Sequence, residues 1–203
     1  YINTASFNVG PWAGRYSGAL GNSLKVSLCP SANAFSNTLT GTYTVTAGST
    51  TVTGSGTAAN TEMQIGDILV LGGRASKVTA ITNAISLTIE SAHLTGASAV
   101  SATRRWEYFG EFNTSPGTSS AATTLGASGD EIHIAVVDRT GDITGVPGTL
   151  LEKFSALSKA SNAKGENGGS NYYKDVINEQ SNWIRWTDHD ASGSNWGTAL
   201  LVA

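Results

Sequence analysis

Apolar and polar positions alternate from Leu24 to Leu28, the period of a half-buried strand, and Pro30 stops the run. Gly21-Asn22 ahead of it is a turn signal. The same alternation returns in Thr42–Thr46 and Thr50–Thr53, with Ala47-Gly48-Ser49 between them as a short hairpin loop. Ile65–Leu71 follows, and Gly72-Gly73 forms a two-residue turn into Ala75–Ile81. Asn83-Ala84 then turns into Ile85–Ile89. Short strands with frequent turns and no helical period predict a small β-barrel or sandwich.

The pattern lengthens on either side. Residues 1–20, with Pro11, Trp12, Gly14, Tyr16 and Gly18, predict an irregular packed loop. Trp106–Phe109 predicts a strand and Ser115–Ser128 a loop. Asp130–Val137 starts by alternating and ends wholly apolar, which predicts a central strand covered on both faces towards one end. Thr149-Leu150-Leu151-Glu152 has the form of a capping box, with Pro147 and Gly148 stopping the chain before it. Leu150, Leu151, Phe154 and Leu157 would share one face of a helix packed on Ile132–Val137. A polar linker, Ser158–Gly169, leads to a second helix through Tyr172, Tyr173, Val176, Ile177 and Gln180, with Ser170 or Asn171 as its cap. Trp183–Trp186 predicts a strand, as does Trp196–Ala203.

The fold class this predicts is α+β: a β-rich mixed sheet with two helices, plus an inserted small β-barrel or sandwich. Composition turns rich in Thr, Ser and Gly at Thr38 and reverts near Trp106. Residues 1–37 and 105–203 therefore read as one discontinuous α+β domain, and 38–104 as an inserted Thr/Gly-rich β-module.

Composition narrows the partners. Of 203 residues, 39% are hydrophobic and 13% charged, the balance of a folded chain. A net charge of -3, from 12 basic and 15 acidic side chains, is no footprint for nucleic acid. No apolar run approaches the ~20 residues of a membrane span, so no membrane partner is expected. No signal peptide opens the chain, which begins with Tyr1 rather than Met.

Candidate chemistry is sparse. Cys29, the only cysteine, ends an alternating run and reads as a small buried hydrophobe. His93, His133 and His189 lie on different elements, without the spacing of a nucleophile–base pair. Asp188-His189-Asp190 is the densest polar cluster, but it lacks the ligand spacing of a calcium loop or a zinc site and reads as a solvated loop. Asp130, Glu131 and Asp138 flank one strand; its ends are too far apart for a carboxylate pair, which leaves loop capping. Gly72-Gly73 and Gly165, Gly168 and Gly169 are not followed by the Lys-Ser/Thr of a phosphate loop. Arg104-Arg105 beside Trp106 suits a salt bridge between subunits as well as a nucleic-acid contact. No catalytic residue, metal site or cofactor is predicted, and the chain is not expected to be an enzyme.

Two stretches carry a resemblance. Tyr16–Val26 (Tyr-Ser-Gly-Ala-Leu-Gly-Asn-Ser-Leu-Lys-Val) resembles a segment of contractile-tail sheath proteins. So does the succession Asp130–Asp138, Gly148–Phe154 and Asn171–Asn178. Together they cover residues 15–30 and 106–190 and resemble the tail sheath of T4-like myoviruses. In that family the pattern is strand, helix start, linker, helix and aromatic strand. The resemblance implies a helical sleeve of like subunits around a tail tube, seated on a baseplate. Its contraction drives the tube through the host envelope. It implies a virion protein assembled in the host cytoplasm, with other sheath subunits, the tube protein and the baseplate as partners. Segment 38–104 resembles β-modules inserted in phage structural proteins. The family's linking arms have no counterpart in this sequence, so the isolated chain is expected to be monomeric.

Two other readings compete. A receptor- or glycan-binding module of a virion would expose Tyr1, Trp12, Tyr16, Trp183, Trp186 and Trp196 along one face. A hydrolase would use Asp130, Glu131 or Asp188, and has the least support.

Overall fold

The computed structural model describes residues 10–189 and 196–200. In chain order it runs through β1 (Trp12–Gly14), a 3-10 turn (Ala19–Ser23), β2 (Leu24–Cys29), α1 (Ala32–Phe35), β3 (Ser36–Thr38), β4 (Thr42–Val45) and β5 (Ser49–Ser55). It continues with α2 (Ala59–Glu62), β6 (Ile68–Leu71), β7 (Arg74–Asn83), β8 (Ser86–His93), β9 (Ala97–Val100) and β10 (Ala102–Arg105). After a 3-10 turn (Phe109–Glu111) come α3 (Ser120–Thr124), β11 (Glu131–Asp138), β12 (Thr149–Ser158), α4 (Tyr173–Gln180) and β13 (Ile184–Trp186). The fold is α+β and β-rich, and every ladder between named strands is antiparallel.

The chain divides into two compact units. One holds the described residues up to Ser31 and from Pro116 onward; the other is Ala32–Ser115.

In the Ala32–Ser115 unit the sheet order is β3-β10-β6-β7-β8-β5-β4-β9. Its two ends are not free edges. β3 and β4 are successive parts of one strand, β9 and β10 of another, and the Leu39 N–H donates to the Ala102 carbonyl at 2.9 Å where the two halves meet. Each of the six resulting strands has two neighbours, so the sheet closes as a barrel. Closure removes the exposed edges on which other strands could template. Gly41 makes the corner between β3 and β4. Its φ is +75°, and a Cβ there would lie 2.5 Å from the Ser55 carbonyl oxygen, so only glycine fits. Tyr43, Val45, Val52, Leu69, Leu71, Val78, Leu87 and Ile89 fill the interior, and Leu39, Ala59 and Met63 pack with them. The intervening positions are hydroxyl side chains: Thr44 stands opposite Thr53, and Thr51 opposite Thr88.

In the other unit β11 lies between β12 and β2. Ile132, Ile134 and Val136 share a core with Tyr173, Val176 and Ile177 of α4 and with Ile184 of β13. β1 pairs with β13, Trp12 opposite Trp186. Arg15 donates to the Ser181 carbonyl at 2.6 Å and so meets the carbonyl end of α4, where a cation is favoured.

The expected helix at Leu150 is corrected to strand β12. Gly148, at φ +82°, turns the chain back on β11, and its N–H donates to the Asp138 carbonyl at 2.7 Å. The capping-box residues serve elsewhere. Thr149 donates to the Val146 carbonyl, and the Glu152 carboxylate accepts from Ser181 and Asn182 beyond α4. The helix-like spacing comes from a bulge. Ile134 pairs with Phe154 but Ile132 pairs with Leu157, so two apolar residues three apart face the same core. Ala156 in the bulge takes φ +53°; its N–H donates to His133 Nδ1 at 3.0 Å and its carbonyl accepts from Asn171.

Three smaller expectations are also corrected. Trp106–Phe109 is not a strand: the ladder ends at Arg105 and a 3-10 turn follows. The Ser115–Ser128 stretch contains helix α3, capped by Ser119, whose Oγ accepts from the Ala122 N–H. Trp196–Leu200 is turn and irregular chain, and Leu201–Ala203 lie outside the described residues.

Candidate interaction site

A concavity lies in the unit containing β11. It is a cavity of about 340 Å³ lined by the Tyr16–Gly21 turn, Leu24, Ile143 and Trp183. No lining side chain carries a formal charge. Tyr16 is 68% exposed and Leu20 59%, so the rim presents large apolar groups to solvent. Val146, 62% exposed, stands three residues beyond Ile143 on the same loop.

Its walls are braced by Asp138, which is wholly buried at the end of β11. The carboxylate accepts from Ser23 Oγ, at the end of the Tyr16–Ser23 segment. It also accepts from the N–H groups of Gly141 (3.0 Å), Ile143 (3.1 Å) and Thr144 (2.7 Å) and from Thr144 Oγ1 (2.8 Å), in the opposite loop. Burial alone would raise its pKa, but the hydrogen bonds from Ser23, Thr144 and Ile143 outweigh it and hold the carboxyl well below the usual carboxylate range. The third wall is fixed by the Arg15 N–H, which donates to the Trp183 carbonyl at 2.8 Å. One carboxylate thus organises two loops that form one apolar groove. The sequence marked Asp138 only as a strand end, because its partners lie far along the chain.

The other predicted residues are scattered. Asp130 accepts from the Ser119 N–H and hydroxyl and from Ser158 Oγ, and Glu131 accepts from the Gly117 N–H; both fasten the segment before α3. Burial pushes the pKa of Lys159 down, and Asp130 opposes that shift. Cys29 stands opposite His133 in the β2–β11 ladder, a proximity that sequence spacing could not reveal. Both side chains are at 0% exposure, and His133 Nδ1 is engaged with Ala156. His93 is buried in the other unit, with Nε2 3.0 Å from the Leu71 carbonyl. His189 Nδ1 lies 2.6 Å from the Tyr173 hydroxyl, and the Asp188 carboxylate accepts from the His189 backbone N–H. Asp190 and Tyr1 lie outside the described residues. Among the described residues no three His, Cys, Asp or Glu side chains are grouped to hold a metal ion.

Arg104 is not available to a partner. Its guanidinium forms two bonds to Asp67, at 2.8 and 3.1 Å, and a third to the Ala34 carbonyl. Arg105 lies over the Phe109 ring, 4.6 Å from its centroid. Of the candidate aromatics among the described residues, Trp12, Trp183, Trp186 and Trp196 are half-buried against the core and Tyr16 is exposed.

Over 207 aligned residues the chain is 27% identical to the tail sheath protein of Salmonella phage ViI. It is similar to a phage tail sheath protein. The match takes in 85% of this chain and 30% of that protein, so the chain spans under a third of the relative's length. The similarity is to a tail sheath protein and does not single out the T4-like group. No family model matches the chain, and no solved structure matches it significantly.

Proposed function

We propose that this chain is a structural part of a contractile phage tail sheath, repeated in a helical sleeve around the tail tube. The observation that carries the reading is the similarity to the tail sheath protein of Salmonella phage ViI across 85% of this chain. The sleeve's contraction drives the tube through the host envelope, and the chain's partners are its own copies, the tube and the baseplate. It is assembled in the host cytoplasm and carried in the virion. A sleeve needs a rigid repeating body, and the carboxylates support that role: the buried Asp130, Asp138 and Asp67 and the half-buried Glu131 are each engaged in fastening a loop or an ion pair. In this reading the chain performs no chemistry and needs no cofactor.

Antibody labelling of intact virions tests the proposal. Label along the whole tail shaft is expected. Label confined to the tail tip would favour a receptor-binding module, and label on the capsid would refute the sheath reading.

A further inference from the structure

His93 ends β8 in the barrel unit and is only 4% exposed. It pairs with Ser49 across the β5–β8 ladder, and its carbonyl accepts from the Gly48 N–H at 2.9 Å. The ring reaches the turn between β6 and β7. A Cβ at Gly72 would stand 3.7 Å from His93 Nε2 and 3.1 Å from the Ala97 Cβ. Nε2 itself lies 3.0 Å from the Leu71 carbonyl. A carbonyl only accepts, so Nε2 carries the ring hydrogen and Nδ1 keeps the lone pair. Nδ1 is buried and has no hydrogen-bond partner among the described residues.

We propose that His93 is an acid-sensitive latch at this end of the barrel: neutral, it ties β8 to the β6–β7 turn, and protonated at Nδ1 it releases that end. The surrounding strands offer Nδ1 no counter-ion. β5, β6 and β9 carry no ionisable side chain. On β4, Tyr43 pairs with Gly54, five residues along β5 from Ser49. On β7, Arg74 is exposed and Lys77 is paired with Glu107. Glu90 on β8 is exposed. On β10, Arg104 is bound to Asp67 and Arg105 lies over Phe109. A proton on Nδ1 would therefore bury a positive charge together with an N–H that has no acceptor, which is costly. Opening the end of the barrel lets water solvate both. An imidazole in water takes that proton near pH 6.5. The opened state thus binds the extra proton and the closed state does not, so the latch holds fully above about pH 6.5 and weakens as pH falls below it.

Nuclear magnetic resonance on the full chain tests this. Histidine-selective nitrogen labelling reads the tautomer, and the Nε2–H form is expected for His93 at neutral pH. Hydrogen exchange of the Gly48 and Ser49 amides reads the latch, because Gly48 donates to the His93 carbonyl and Ser49 pairs with His93. Corrected for the intrinsic exchange rate, their protection is expected to fall about tenfold per pH unit below about pH 6.5, one proton being taken up at each opening. His93→Gln keeps a side-chain N–H and cannot be protonated, so its protection is expected to stay level over the same range. An Nδ1–H tautomer at neutral pH overturns the proposal. So does a ring that takes its proton near pH 6.5 while Gly48 keeps its protection, or a His93→Gln chain that loses protection in acid as steeply as the parent. If His93→Gln does not fold, the tautomer and the pH dependence of the parent chain still decide.

Discussion

Ser23 donates its hydroxyl to the carboxylate of Asp138, 115 residues further along the chain. That bond ties the turn on one side of the groove to the loop on the other, since the same carboxylate collects the N–H groups of Gly141, Ile143 and Thr144. The pKa of Asp138 is depressed in the folded state, so its contribution to stability is fully present above the unfolded-state value of about 4. It is lost as pH falls below that towards the folded-state value. Asp138→Asn is expected to lower the melting temperature at neutral pH and to flatten the decline in stability between about pH 4 and pH 2. Denaturation midpoints across that range check both effects. An unchanged melting temperature would show that the loops hold without the carboxylate.

The Arg104–Asp67 pair is a second long-range tie, between strand β10 and the loop before β6. Side-chain exposures of 12% and 4% mean that removing one partner strands a buried charge. Arg104→Met or Asp67→Asn is expected to cost about 3–5 kcal/mol, measured by denaturant unfolding. The double variant is expected to recover part of that loss, because no charge is then left unpaired.

The bulge on β12 yields a prediction of unusual sign. Ala156 sits at φ +53°, where a Cβ costs about 1–2 kcal/mol that glycine avoids. Ala156→Gly is expected to be neutral or stabilising by about 1 kcal/mol after the entropy cost of glycine is subtracted. His133→Phe removes the acceptor for the Ala156 N–H and is expected to destabilise by about 1–3 kcal/mol. Equilibrium unfolding of both variants separates backbone strain from the hydrogen bond.

The barrel was legible in the sequence because its turns are local. Gly72-Gly73 and Ala47-Gly48-Ser49 announce hairpins, and the alternation of Tyr43, Val45 and Val52 with threonine follows the pleat. Its closure was not legible, because it depends on β3/β4 meeting β9/β10 across some 60 residues of chain. The helix-like spacing of β12 has a related cause. The bulge changes the spacing of Phe154 and Leu157 from two to three, and only the partner strand explains that number. Helix α4 is legible because Tyr173, Val176 and Ile177 keep the helical period without interruption, but its N-cap is Tyr172, with no side-chain cap bond, rather than Ser170 or Asn171. The groove was hidden for the same reason as the barrel's closure: Tyr16, Ile143 and Trp183 belong to three distant segments.

Excision of Ala32–Ser115 tests whether the barrel is an independent insertion. Replaced by a short Gly/Ser linker, it is expected to leave a remainder that unfolds cooperatively, with the core of Ile132, Ile134 and Ile177 intact. Differential scanning calorimetry of the excised protein and of the barrel alone provides the check. A remainder without a cooperative transition would show that the two units fold as one.

The central claim, that this chain is a repeated structural element of a tail sheath, is tested most directly by a cryo-EM map of the intact phage tail. The account predicts density for the six-stranded barrel and the β12-β11-β2 sheet, repeated helically in the outer layer around the tube. Finding this fold once per tail, at its tip, or only within the capsid would contradict it.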